Sequence, residues 1–238
     1  MKAPLAALLL ISLTGPALAN DPIGFQTTTI PDTHNIRPLE MAVWYPSTST
    51  AQPKLIADNL VFIGVLAVPD AAPTPGKHPV VVLSHGYGGN WGKQAWLASA
   101  LARQGYIVAA VNHPGTTSQD RSAQAAAQLW QRPKDLSRAI DALLAQATPF
   151  GAADSGRIAV IGHSLGGWTV MESAGARFDP ALFARDCDAH PTLVACKAYR
   201  EMNPEGTPSG KAQVAADLSD KRVTAVVSLD LGLSRGFT

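Results

Sequence analysis

Four stretches of the chain are almost unbroken apolar runs: Val80 to Leu83, Tyr106 to Val111, Ile158 to Ile161 and Val223 to Leu229. Runs without polar alternation predict strands buried on both faces, as parallel strands are. Between them the period lengthens. Leu136, Ile140, Leu143 and Leu144 share one helical face at i, i+4, i+7, i+8 spacing, and Pro133 suits the first turn. Strand alternating with helix predicts a mostly parallel sheet flanked by helices. Ahead of it, Thr27 to Ile30 and Met41 to Tyr45 are β-rich runs that predict an antiparallel hairpin at the sheet edge. Residues 46–78 read as irregular, because Pro69, Pro73, Pro75 and Pro79 argue against regular elements. The stretch 177–221 carries Pro180, Pro191, Pro204, Pro208 and several charges. It breaks the alternation and reads as a lid-like insertion before the last strand.

The chain has 238 residues, 46% of them apolar and 16% charged, enough for one domain with a large core over residues 20–238. Residues 1–19 have a basic start at Lys2, a short apolar middle and small residues at Ala17-Leu18-Ala19, the pattern of a cleaved signal peptide. A membrane anchor is the rival reading, but Ser12, Thr14, Gly15 and Pro16 interrupt the stretch. Export to a periplasmic or extracellular space is therefore expected, with no stable membrane span left afterwards. The charge is nearly balanced, 19 basic against 18 acidic residues, which excludes an electrostatic nucleic-acid partner. An oxidising compartment favours joining the two cysteines, Cys187 and Cys196, the alternative being two buried thiols. Neither stands in a metal-ligand pattern, so no metal or other cofactor is expected.

The chemistry concentrates in Arg157 to Gly167, a β-run that delivers Ser164 into Gly162-His163-Ser164-Leu165-Gly166. A strand-to-helix turn this sharp leaves no room for side chains at 162 and 166, and its strain lifts the serine hydroxyl above the sheet. A lone Gly-x-Ser-x-Gly is weak evidence, but here a strand precedes it and a helix is expected behind it. An attacking serine places negative charge on the substrate oxygen, which needs preset donors. The Leu165 amide is one. The loop His85-Gly86-Tyr87-Gly88-Gly89, after Val80 to Leu83, offers the Tyr87 amide as the second. A phosphate loop is excluded there, since Gln94 follows Gly92-Lys93 and Tyr87 replaces the first glycine of that motif.

The elbow Gly162 to Gly167, the His85 to Gly89 loop and the strand ending Ser228-Leu229-Asp230 resemble the α/β-hydrolase superfamily. Within it, the likeness is to bacterial dienelactone-hydrolase-like proteins related to platelet-activating-factor acetylhydrolase, over about Pro79 to Phe237. Dienelactone hydrolases use a cysteine nucleophile, and position 164 is serine, which points to a serine esterase acting on a small-molecule ester, short-acyl or lipid-type. The acetylhydrolase likeness implies Asp230 as the acid that orients the base. Independently, ligands of parallel α/β sheets sit beyond the carboxyl ends of strands, where Asp230 lies. A solvated aspartate ending a strand is the plainer alternative.

The base is missing. Chain order in this fold is serine, acid, histidine, and no histidine follows His190. About two further strands are also expected, so these 238 residues read as a domain lacking its C-terminal part. Among the histidines present, His113 follows a strand end and is a candidate for touching substrate. His85 is expected to brace the oxyanion loop, His163 to point away from the serine, and His34, His78 and His190 to lie at the surface. Trp91, Trp96 and Trp168 flank the motif loops and are candidates for the pocket wall, Trp168 foremost, with burial in the core as the alternative. An amide hydrolase and an inactive binding protein built on the same fold are the competing functions.

Overall fold

A computed structural model describes residues 22–32, 37–145 and 149–238. The expected signal peptide and His34 lie outside the described residues. The elements are, in order, β1 (Ile23–Ile30), β2 (Leu39–Pro46), β3 (Lys54–Ile56), β4 (Val65–Pro69), β5 (Lys77–Ser84), α1 (Ala95–Arg103) and β6 (Ile107–Asn112). There follow α2 (Ala123–Ala126), α3 (Gln131–Leu144), β7 (Ala152–His163), α4 (Leu165–Ser173), α5 (Pro180–Ala189), α6 (Val194–Met202), α7 (Pro208–Val214) and β8 (Ala225–Leu229). One sheet orders the strands β3-β4-β1-β2-β6-β5-β7-β8.

The four apolar runs became β5, β6, β7 and β8, paired in parallel through β6-β5, β5-β7 and β7-β8. Alternate residues of one strand feed two cores. Val80 and Val82 pack with Leu136, Ile140 and Leu143 of α3. Val81 and Leu83 pack with Ala95, Ala98 and Ala102 of α1 on the opposite face. This is the α/β-hydrolase architecture, a mostly parallel sheet flanked by helices. The last run departs from its sisters: β8 is an edge strand, and Val226, Val227 and Leu229 remain partly exposed.

Two expectations need correction. The hairpin of β1 and β2 forms in antiparallel register, Thr27 opposite Ala42, but it is not the edge, because β4 pairs with β1 and β3 with β4 beyond it. Residues 46–78 therefore contain two strands and the start of β5. The prolines fit because they sit where regular pairing stops: Pro69 closes β4, and Pro79 lies in β5 where the register against β7 shifts between His78 and Val80.

The 177–221 stretch is also more regular than its prolines suggested. Pro180 and Pro208 begin α5 and α7, where the missing N–H costs nothing, behind the caps Asp179 and Thr207. Phe178, Phe183, Tyr199, Met202 and Val214 bury themselves against Leu165 and Trp168, so the three helices dock on the elbow side of the sheet. Cys187 and Cys196 are joined across α5 and α6, nine residues apart in sequence. Reduction should destabilise the protein by roughly 2–3 kcal/mol, as a short closed loop predicts. Urea unfolding with and without dithiothreitol measures this, and a non-reducing peptide map that recovers two free thiols would reject the pairing.

Candidate active site

Strand β7 ends at His163 and helix α4 starts at Leu165, so Ser164 alone makes the turn, at φ 54 and ψ −119. That conformation costs a non-glycine residue about 1–3 kcal/mol and persists only where the surroundings impose it. They do. The Ser164 N–H donates to the Leu229 carbonyl at 2.9 Å, and the Ser164 carbonyl accepts from the Gly167 and Gly232 amides at 2.8 and 2.9 Å. The two elbow glycines are obligatory: a Cβ on Gly162 would stand 2.0 Å from the Gly166 oxygen, and one on Gly166 would stand 1.9 Å from the Ser84 oxygen.

The loop after β5 reaches the same point. A Cβ on Gly86 would lie 3.2 Å from that of Ser164, so the backbone carrying Tyr87 packs against the serine. Among the described residues, neither the Tyr87 nor the Leu165 amide donates a hydrogen bond, which leaves both free for a substrate oxygen. Two cavities open from Ser164. One, about 410 Å³, is lined by Phe62, Tyr87, Trp96, Leu97 and His163. The other, about 350 Å³, lies under α6, with Leu165, Val194, Ala198, Met202 and Asp230 in its wall. Asp230 thus stands at the carboxyl end of β8 beside the serine. It is well exposed, and its Oδ2 lies 3.9 Å from the Nε2 of His163.

His113 and Trp168 are not where a substrate contact needs them. Trp168 is buried and meets Phe178 edge to face, so it belongs to the core beneath the helical segment. Of the three tryptophans only Trp96 lines a cavity with Ser164; Trp91 packs on Phe25 and Trp44. His113 turns inward past the end of β6 and is fully buried. Its Nδ1 lies 3.0 Å from Asp135 and its Nε2 2.9 Å from the Ser84 hydroxyl.

His113 is one link in a buried polar network that supports the oxyanion loop from below. Arg132 of α3 donates to the Ser84 hydroxyl, to Thr169 of α4 and to the His85 carbonyl. Asp135 takes two bonds from Arg37, at 3.1 and 2.7 Å. The Nε2 of His85 accepts the His113 N–H, so its Nδ1 carries the proton and donates to the Gly86 carbonyl, bracing the loop as expected. Burial first, then the Arg132 charge, holds His113 down to about 3 and His85 well below its usual value; both rings are neutral. Burial works against ionisation of Asp135, but the His113 bond and the Arg37 charge outweigh it and keep the group below the usual carboxylate range.

The sequence reading overlooked Arg37, Ser84, Arg132 and Asp135. A signal existed: Arg132 and Asp135 lie four residues before Leu136 and Ala139, on the stripe of α3 that faces the core. Charged residues on a buried stripe require partners there.

The elbow helix carries a different anomaly. Glu172 is buried, neither carboxyl oxygen finds a partner among the described residues, and burial pushes it up to about 8. Its folded form keeps a proton that the unfolded chain releases near pH 4.5, so stability is lost as pH rises toward 8. The histidines act oppositely. Unfolded, they take up protons near pH 6.5, while folded His113 resists until about 3, so stability is lost as pH falls through that window. Thermal melts from pH 4 to 9 should therefore fall on both sides, and Glu172→Gln should flatten only the alkaline side. An unchanged alkaline limb would show that Glu172 is ionised at neutral pH.

Comparison with known proteins places these features among hydrolases. Residues 76–184 match the Hydrolase_4 family model, described as serine aminopeptidase, S33. The bis(hydroxyethyl) terephthalate hydrolase of Streptomyces coelicolor is 29% identical over 179 residues, covering 72% of this chain and 51% of the relative. The platelet-activating factor acetylhydrolase of Cavia porcellus is 28% identical over 163 residues, covering 48% of this chain and 37% of the relative. It bears out the acetylhydrolase likeness. The solved structure of a ferulic acid esterase from Streptomyces cinnamoneus is 28% identical with a TM-score of 0.58, over 67% of this chain and 57% of that one. The chain spans about half the length, or less, of the curated relatives it matches.

Proposed function

We propose that the chain is a serine hydrolase of the α/β-hydrolase superfamily that cleaves carboxylic esters through an acyl-enzyme on Ser164. The observation that carries this reading is the strained Ser164 at the junction of two cavities, with two unengaged amides beside it. The Ser164 oxygen attacks the ester carbonyl carbon and its proton passes to the base. The carbonyl oxygen becomes an oxyanion held by the Tyr87 and Leu165 amides. Collapse expels the alcohol, which takes the proton, and water then attacks the acyl-serine by the same route to release the acid. Asp230 is assigned the orienting carboxylate. The base is a histidine that Asp230 orients.

His113 drops out as a substitute base because it is buried and engaged on both nitrogens. Helices α5 to α7 act as a lid: α6 walls one cavity, and Glu201 accepts a 2.8 Å hydrogen bond from the Tyr87 hydroxyl. Export is supported by the disulfide, and no helix among the described residues is long and apolar enough to cross a membrane.

The reading is tested by reaction with a fluorophosphonate followed by peptide mass mapping. The adduct is expected on the peptide containing Ser164, and labelling elsewhere or none at all would defeat the assignment. Comparing p-nitrophenyl acetate with its p-nitroanilide counterpart separates ester from amide cleavage, with the ester expected to dominate.

A further inference from the structure

The hairpin of β3 and β4 ends in a tip that runs against the usual logic of a surface loop. Leu60, Val61, Phe62 and Ile63 are consecutive apolar residues, Leu60 fully exposed, Val61 78%, Phe62 43% and Ile63 92% exposed. Along the hairpin, Leu55 and Leu66 face each other in register and are each about half exposed. An apolar patch of this kind marks a place where something other than water is met.

The tip is built to stay out. The Asn59 side-chain oxygen accepts the Val61 and Phe62 amides at 2.9 and 3.1 Å, and the Asn59 amide donates to the Phe62 carbonyl at 3.0 Å. The Asp58 carboxylate accepts the Gly64 amide at 2.8 Å across its base. Gly64 has no room for a side chain, since a Cβ there would lie 2.8 Å from the Ile56 oxygen. These local bonds hold the apolar side chains toward solvent instead of letting the loop fold back over the sheet.

Phe62 also lines the cavity that contains Ser164, opposite the exposed Trp96. Through Phe62 the tip is thus continuous with the apolar part of the cavity wall, which Trp96, Leu97 and Leu229 extend toward Ser164. We propose that the tip inserts into the surface of an uncharged, water-insoluble ester phase and delivers its ester groups to Ser164; this rests on the ester-hydrolase reading above. The absence of charge between Asn59 and Gly64 fits a neutral phase and gives no hold on an anionic one. A protein bound over Phe62 and Trp96 would instead close the cavity that the substrate must enter.

The test uses tributyrin, dissolved below its solubility limit and as emulsion droplets, with Leu60→Ser/Ile63→Ser as the variant, since neither residue lines the cavity. Adsorption is measured separately with Ser164→Ala, which leaves the droplets intact. Ser164→Ala should partition from buffer onto the droplets, and the same protein also carrying Leu60→Ser/Ile63→Ser should adsorb at least tenfold less. The double variant should keep its rate on dissolved ester and lose at least tenfold on droplets. Equal adsorption with and without the two serines overturns the proposal, whatever the activity. Failure of the whole wild-type protein on both forms of tributyrin, with adsorption intact, overturns the ester-hydrolase reading instead. A concentration-dependent dimer abolished by the double variant, without adsorption, would assign the tip to a second copy of the chain.

Discussion

In the whole protein, Ser164→Ala is expected to lower ester turnover by at least about a thousandfold while leaving the fold and its melting behaviour close to wild type. The magnitude follows from the role: without the hydroxyl no acyl-enzyme forms, and only binding and the oxyanion amides remain to help water. The fold is spared because the bonds that impose the turn, from Ser164 N–H to Leu229 and from Gly167 and Gly232 to the Ser164 carbonyl, are all made by backbone. Steady-state rates on a p-nitrophenyl ester decide the matter, and a variant that keeps most of its activity would rule this serine out.

The largest structural effect is expected at Asp135. Asp135→Ala removes the carboxylate that Arg37, Arg138 and His113 share, and takes that acceptor from the His113 Nδ1–H and the Arg37 guanidinium, while Arg138 keeps the Ile30 and Pro31 carbonyls. Breaking a buried charge pair by deleting one partner costs about 3–5 kcal/mol, and the loss should appear as a shifted urea midpoint with little change in slope. Asp135→Asn keeps an acceptor for His113 but no charge, so it should fall between the two. A loss below about 1 kcal/mol for the alanine variant would mean that the network is incidental to stability.

The parallel strands were legible because burial on both faces writes itself as an unbroken apolar run, and the elbow because its sterics demand glycine at fixed spacing. Asp230 and the His85 to Gly89 loop followed from the same logic, strand ends converging on one edge. The run of β8 was read as a strand like its sisters, and it pairs in parallel with β7. Pro180 and Pro208 were misread because proline both breaks a helix and begins one, and the caps Asp179 and Thr207 decide which. His113 failed for a different reason. Its position past β6 was right, but no pattern in the sequence says whether a side chain at a strand end faces solvent or the layer below. The answer lay in α3, where Arg132 and Asp135 had to find partners.

The turn at Ser164 also sets a tension between working and lasting. At φ 54 and ψ −119 a serine or an alanine is strained, whereas a glycine is at ease. Relief of about 1–3 kcal/mol exceeds the 0.5–1 kcal/mol that glycine forfeits to the freedom of its unfolded chain. Ser164→Gly should therefore give an inert protein that outlasts both the wild type and Ser164→Ala under heat or urea. Screening this protein for durability alone would select against its own nucleophile, so any stabilised variant found that way has to be checked for Ser164 before its activity is interpreted.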